Sequence, residues 1–169
     1  FAIPSYNHEK YVGEMLDSCL AQTYPNIEVV IVDDASPDGS RQIIEDYVRR
    51  YPGIVRAEFN STNLGPALTA RKAVRLTRGE FIAGIGSDDV SLPHRIAAGM
   101  ELLLANPALG AVFSKAEIID ETGRTIDSPI AQVFNCEYDD IRWRLLSGNF
   151  LCGPSMLVRG DLVRKVSPN

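Results

Sequence analysis

The sequence predicts an α/β fold built on a mainly parallel central sheet flanked by helices, and three observations carry that prediction. Short apolar runs alternate with segments whose apolar residues recur at helical spacing, the order that gives right-handed strand–helix–strand crossovers. Two of the runs, at Val29-Val30-Ile31-Val32 and Phe81-Ile82-Ala83, are as apolar as strands buried on both faces. Each leads to a pair of adjacent aspartates, Asp33-Asp34 and Asp88-Asp89. Open parallel sheets bind ligands in the crevice beyond the carboxyl ends of their strands, so both pairs belong on one functional rim.

Taken in order, Phe1-Ala2-Ile3-Pro4 starts as if already inside a strand, and a polar turn, Ser5-Tyr6-Asn7-His8-Glu9, follows. Val12, Leu16, Cys19 and Leu20 sit at helical spacing and predict an amphipathic helix over 10–22. The second strand covers 27–32 and a loop covers 35–40. Ile43, Ile44, Tyr47 and Val48 mark one face of a second helix that stops before Pro52-Gly53. A third strand spans 54–59, a turn 60–66, and a third helix 67–77, with Leu68, Arg71, Val74 and Arg75 at successive helical positions. Then comes the central strand, within 80–90. Past Pro93 a fourth helix reaches about residue 105, where Asn106-Pro107 stops it. A strand is predicted over 110–120, a turn at Glu121-Thr122-Gly123-Arg124, a helix over 139–146, a strand over 154–158 and a short helix from Asp161. The end at Ser167-Pro168-Asn169 follows a short apolar segment directly. With the clipped start, it predicts a piece of a longer protein.

At 169 residues the chain suits one domain with a real core. Its formal charge is −5 and its pI about 5.0, without a cluster of basic residues. A nucleic-acid surface needs a concentrated basic face, so no nucleic-acid partner is expected. Cys19, Cys136 and Cys152 are far apart and odd in number. They fit neither a disulfide framework nor a zinc site, and predict buried, reduced thiols in a cytoplasmic setting. No apolar run approaches membrane-spanning length, so any association with the inner face of a membrane would come from other regions.

Several motifs compete for the acidic residues. Asp34-x-Ser36-x-Asp38-Gly39, with Glu45 following, nearly spells a calcium loop, but that loop is entered from a helix and here a strand leads in. Gly84-x-Gly86 lacks the third glycine of a dinucleotide turn, and two carboxylates stand where a pyrophosphate would lie. The Walker pattern is absent. Asp38 reads as a turn residue. Two adjacent pairs on one rim ask for more, because neighbouring carboxylates repel unless a cation or hydrogen-bond donors hold them. Carboxylates without nearby His or thiolate suit Mg or Mn, an ion that takes its remaining ligands from substrate phosphates. The other pair can then accept hydrogen bonds from a base or ribose.

Ile3-Pro4-Ser5-Tyr6-Asn7, Val32-Asp33-Asp34-Ala35-Ser36, Asn63-Leu64-Gly65 with Ala70-Arg71, and Ser87-Asp88-Asp89 together resemble the ordered motifs of family 2 glycosyltransferases. The resemblance covers nearly the whole chain. It implies a GT-A, Rossmann-like fold and inverting transfer from a nucleotide-diphospho-sugar donor, a UDP-sugar above others, with a divalent metal, Mn or Mg. Residues 1 to about 120 would form the nucleotide-binding part, and about 121–169 the start of the acceptor-side part. By position, Pro4, Tyr6 and Asn7 would line the nucleoside pocket with Glu9 just behind. Asp34 would accept from the base, Arg71 would approach the diphosphate, Asp88 would face ribose or metal, and Asp89 would ligate the metal.

Each assignment has a plainer counterpart. Tyr6 packs, Asn7 caps the first helix, Arg71 is a solvated helix residue, His8 is exposed on its turn, and His94 is a first-turn helix residue rather than a donor-site group. Inversion needs a general base to take the acceptor proton. The family's acid follows the segment that Pro154-Ser155-Met156-Leu157-Val158-Arg159 resembles, which places it beyond Asn169. Asp139 and Asp140 read as helix-start acids, Asp161 does not match, and no catalytic base is assigned. The acceptor, a glycan, a lipid-linked sugar or another hydroxyl, is not legible. Two other readings use the same rim. One is a nucleotide-sugar binding domain without transfer activity. The other is a sugar nucleotidyltransferase, which would want a basic, glycine-rich loop after the first strand.

Overall fold

The computed structural model of the chain describes residues 1–129 and 151–166. The predicted helix over 139–146, Cys136, Asp139 and Asp140 lie outside them. Strands β1 (Ala2–Ser5), β2 (Val29–Asp33) and β3 (Val55–Phe59) pair in parallel in the order β1-β2-β3. Helices α1 (Val12–Leu20) and α2 (Ser40–Arg50) are their crossovers, and α3 (Pro66–Leu76) leads on to β4 (Phe81–Ala83). Then come α4 (Arg95–Ala105), β5 (Ala111–Phe113), a 3-10 turn at Gly153–Ser155, β6 (Met156–Arg159) and α5 (Gly160–Val166).

β6 lies between β4 and β5 and runs antiparallel to both. A parallel bridge from Ala2 to Gly84 sets β4 alongside β1. Among the described residues every strand but β6 therefore points the same way, which is the mainly parallel sheet the alternation predicts. The two sheet faces separate by residue parity, because successive strand side chains point to opposite sides. Ile3, Val29, Ile31 and Val55 join Val12, Met15, Leu16, Ile44, Ile96, Met100 and Leu103 on the α1, α2 and α4 side. Ala2, Val32, Ile82 and Val158 meet Ala73 of α3 on the other. All five residues of β2 are buried: Val29 to Val32 as their apolar character requires, and Asp33 with its carboxylate accepting from Ser36.

Two expectations need correction, and α3 packs by a face that its spacing did not mark. The predicted strand over 110–120 pairs only at Ala111–Phe113; beyond it Ile119 bridges Thr125 across a turn that Asp120 closes by accepting from Thr122 and Arg124. The apolar start of 110–120 reads as extended backbone, whereas β6 offers only a short antiparallel edge. On α3 the buried face is Thr69 and Ala73, while Leu68 is exposed. Small side chains let this helix lie close to β1 and β2, so the larger apolar residue turns outward. Asn7 does not cap α1: the N-cap is Tyr11, which makes no side-chain cap, and Tyr11 N and Val12 N donate to the His8 carbonyl.

The other end of α1 controls how the acidic loop is carried. Gln22 is buried, and its Nε2 donates to Ser18 O, Ser91 Oγ and Leu92 O at 3.1, 3.1 and 3.0 Å. Its Oε1 accepts from Ile96 N at 3.1 Å, satisfying a free N–H in the first turn of α4. Gln22 thus fastens the segment between Asp89 and α4 to the end of α1, together with Ser18, whose hydroxyl accepts from Ser91 N, and Thr23, which donates to Pro93 O. Gln22→Ala strands that buried N–H and the carbonyls around it, and is expected to cost about 1–3 kcal/mol in urea unfolding.

Candidate functional site

Ser5 lies opposite Asp33 at the carboxyl ends of β1 and β2, and the chain leaving β4 runs on beside β1 from the Ala2–Gly84 bridge until Ser87 meets His8 at 2.8 Å, just past the end of β1. Both acidic pairs are therefore on one rim, as the two strand ends predict. Around it run the loops after β1, β2 and β4. Asn7 and Ala35 have left-handed backbones, with φ of 58° and 61°. Asn tolerates that conformation; for Ala35 it costs about 1–2 kcal/mol. Its neighbours hold it there: Ser36 donates through both N–H and hydroxyl to the buried Asp33 carboxylate. The same Ser36 hydroxyl oxygen accepts from Asn7 N at 2.9 Å, which joins the first loop to the second.

Asp34 is only 2% exposed and already engaged. Its Oδ1 accepts from Asn60 Nδ2 at 2.7 Å and Leu64 N at 2.9 Å, and its Oδ2 from Gly65 N at 2.9 Å. Lys72 Nζ donates to Asn60 Oδ1, which orients the amide toward Asp34. Burial pushes the Asp34 carboxyl up, but the Leu64, Asn60, Thr69 and Gly65 hydrogen bonds outweigh it and hold it below the ordinary aspartate range. The first pair thus builds the wall of the rim, binding the 60–65 loop and the start of α3. Asp34 and Asp38 accept from separate donor sets, Asp38 from Glu9 N and Ser40 N. Their carboxylates are turned to different tasks, unlike the converging ligands of a calcium loop.

The second pair faces the opening. Asp88 is exposed and Asp89 half-buried, and Gly86 lies beneath both. A Cβ on Gly86 would fall 2.7 Å from Asp89 Oδ2 and 2.8 Å from Asp88 Oδ1, so the two carboxylates converge where only glycine fits. Gly86 N donates to Asp89 Oδ2 at 2.9 Å. Burial raises the Asp89 pKa; the Gly86 N–H opposes the rise, Asp88 adds to it, and Arg95 and His8 oppose it again. A carboxylate whose charge is this costly to keep, converging with a second one, is suited to a dication. Among the described residues there is no group of three acidic, His or Cys side chains to hold one, so the other ligands would come from outside the protein.

The remaining predicted residues fall around this pair in distinct ways. Pro4 is half-buried in β1, and Tyr6 and Asn7 are exposed at the rim. Glu9 Oε2 accepts a short hydrogen bond from Gly39 N, so this carboxylate caps α2 behind the first loop. That helix N-terminus is thereby filled from within. Arg71 is half-buried on α3, two residues past Thr69. His94 Nδ1 meets the Thr23 hydroxyl at 3.3 Å and starts α4. Asp161 pairs with Lys165 beyond the Arg159 end of β6, which lies beside the first residue of β4 and away from the acidic rim.

Sequence reasoning missed two groups. His8 is half-buried rather than exposed, with Nδ1 2.8 Å from Ser87 Oγ and 3.8 Å from Asp88 Oδ1. Arg95 reaches under β4 to donate to Gly84 O and Met156 O at 2.9 and 3.2 Å, adding positive potential below Asp89. Only the register linking the loops after β1 and β4 could have signalled the His8 contact, and that register is not written locally. Two hollows, of about 450 and 310 Å³, lie elsewhere: one beside β3 at Val48, Pro52 and Leu76, the other under Phe1, Tyr24 and Met100.

The Asp34 clamp has a pH signature. The folded carboxyl releases its proton more readily than the unfolded one. Its contribution is therefore complete above the unfolded pKa of about 3.9 and is lost as pH falls through the lower folded value. Asp34→Asn should cost about 2 kcal/mol at pH 7, with the gap to the unaltered chain closing below about pH 4 in urea titrations.

Comparison with known proteins agrees with this geometry. The family described as "Glycosyl transferase family 2" matches residues 1–167. An uncharacterized glycosyltransferase of Nostoc sp. is 31% identical over 169 residues, covering 98% of this chain and 52% of the relative. A putative teichuronic acid biosynthesis glycosyltransferase of Bacillus subtilis is 28% identical, covering 81% of this chain and 54% of its own length. The chain spans about half the length of the curated relatives it matches. Among solved structures, S. aureus TarS 1-349 in complex with UDP-GlcNAc superposes with a TM-score of 0.76 at 26% identity, over 97% of this chain and 46% of that one. A mannosyltransferase from Pyrobaculum calidifontis, solved with GDP-Man and Mn2+, shares the fold at a TM-score of 0.69 and 20% identity, over 97% of this chain and 45% of that one. The chain has the GT-A fold and belongs to glycosyl transferase family 2.

Proposed function

We propose that this chain is the donor-binding part of an enzyme that transfers a sugar from a nucleotide-diphospho-sugar, a UDP-sugar, to an acceptor hydroxyl with inversion. The observation that carries the reading is the convergence of Asp88 and Asp89 over Gly86, beside the loops of β1 and β2. TarS, which superposes over nearly the whole chain, is solved with UDP and with UDP-GlcNAc, and this supports the choice of donor.

In this reading residues 1 to about 120 bind the nucleotide, and the acceptor side begins near 121. Tyr6 and Pro4 flank the nucleoside, with Asn7 at the loop tip. Asp34 and the 60–65 loop it holds form the base end of the groove, and Arg71 turns toward the diphosphate. Asp89, fixed by the Gly86 N–H, and Asp88 beside it hold Mn or Mg. A dication so held supplies Lewis-acid stabilisation of the departing diphosphate. The Gly86 N–H keeps one Asp89 oxygen in place, so little reorganisation is left for the moment of binding. No general base for the acceptor proton is assigned within residues 1–169. The acceptor is a glycan, lipid-linked or other hydroxyl compound, and the site works at the cytoplasmic face.

Thermal melts of this chain with UDP and Mn2+, alone and together, test the assignment. A ligand at a hundredfold its dissociation constant stabilises by about 2.7 kcal/mol, which at this size raises the midpoint by about 5–10 °C. The full shift should need both UDP and metal and should vanish in Asp89→Ala. A folded chain that ignores millimolar UDP, dTDP and GDP would contradict the reading.

A further inference from the structure

We propose that His8 is a positioning residue of the donor site, gripping the Ser87-Asp88 turn from the loop after β1 and setting where the acidic pair presents its oxygens. The inference rests on the reading of that pair as the metal–nucleotide site.

The backbone of His8 is fixed at both ends. Its N–H donates at 3.1 Å to the hydroxyl of Ser40, a fully buried residue at the start of α2. Its carbonyl accepts from Tyr11 N and Val12 N at 3.0 and 2.9 Å, which begins α1. The imidazole rests edge-on against the Tyr11 ring, with centroids 6.1 Å apart. A side chain held this firmly presents Nδ1 in one place, 2.8 Å from Ser87 Oγ and 3.8 Å from Asp88 Oδ1. With a carboxylate oxygen so near, the tautomer carrying its proton on Nδ1 is favoured, because a bare lone pair there would face negative charge. Nδ1–H then donates to Ser87 Oγ.

The turn it grips needs an external hold. Gly86 and Asp89 close it internally, through Gly86 N to Asp89 Oδ2 and Asp89 N to Gly86 O. Gln22 fastens its far side at Ser91, Leu92 and Ile96. His8 fastens the near side at Ser87, which is 2% exposed and adjoins Asp88 in the chain. Asp88 and Asp89 repel each other; the Gly86 N–H and Arg95 ease that repulsion at Asp89, and the ring reaches the Asp88 side of the turn. Partners that orient a metal ligand from behind commonly contribute ten- to a hundredfold in metal affinity.

Isothermal titration of Mn2+ into this chain saturated with UDP gives the test. The variants are His8→Ala, His8→Asn, Ser87→Ala and the double alanine variant, with UDP alone and the melting midpoint measured beside them. His8→Ala should weaken Mn2+ roughly tenfold while UDP alone binds within about twofold of the unaltered chain. His8→Asn, whose amide nitrogen falls near the place of Nδ1, should recover all but about threefold, and the double variant should be no weaker than His8→Ala. If His8→Ala fails to fold, Ser87→Ala carries the same comparison. Mn2+ affinity unchanged in both single variants overturns the inference. So does a parallel fall of Mn2+ affinity, UDP affinity and melting midpoint that Asn does not restore, which marks a purely structural residue. An unaltered chain that binds no Mn2+ with UDP present overturns the underlying donor-site reading as well, so the two failures are told apart.

Discussion

Two negative charges placed side by side at the end of a strand set the terms for the rest of this molecule. Asp88 and Asp89 converge over a glycine that leaves no room for a side chain. Burial makes the Asp89 charge harder to keep. That arrangement is maintained by structure from three directions. Gly86 donates from beneath, His8 and Ser87 hold the near side, and Gln22 ties the outgoing loop to α1. The cost of the pair is met by contacts spread through the fold, which is how strained or repulsive groups persist at functional sites.

The sheet explains why these contacts can meet. Among the described residues five strands point one way, so the segments that leave them bring separate loops to one rim, and helix crossovers cover both faces. β6 breaks the direction, running back between β4 and β5. Its start, with the 3-10 turn at Gly153–Ser155, returns the chain to the neighbourhood of Gly84, while its end carries Arg159 and α5 away. One aspartate pair thus builds the wall and the other faces the opening, a division of labour between chemically identical dipeptides. The difference lies in what surrounds them: four donors around Asp34, and at Asp89 the Gly86 N–H with Arg95 and His8 nearby.

The order of elements was legible because periodicity is local. β2, with its unbroken Val29-Val30-Ile31-Val32, and the helix marked by Val12, Leu16 and Cys19 could be read directly, and the rim followed from the two aspartate pairs. What could not be read depended on distant partners. The face that α3 buries, Thr69 and Ala73, is not the one marked by Leu68, Arg71, Val74 and Arg75, because small residues let the helix pack closely. The 110–120 segment looked extended throughout, but the edge offered by β6 ends after three residues. His8 looked like a turn residue because its partner Ser87 is 79 residues away. Asp34 was legible as a special acid, yet its present donors, Asn60, Leu64 and Gly65, belong to a loop that pattern alone marks only as a turn.

The central claim, that the acidic rim is a metal-dependent nucleotide site, is tested most directly by a crystal structure of this chain grown with UDP and Mn2+. The account predicts metal density against Asp88 and Asp89, the diphosphate completing its ligands, and the base toward the loop that Asp34 holds. UDP bound elsewhere, in the hollow beside β3 or under Phe1, or a metal ion distant from both aspartates, would contradict it.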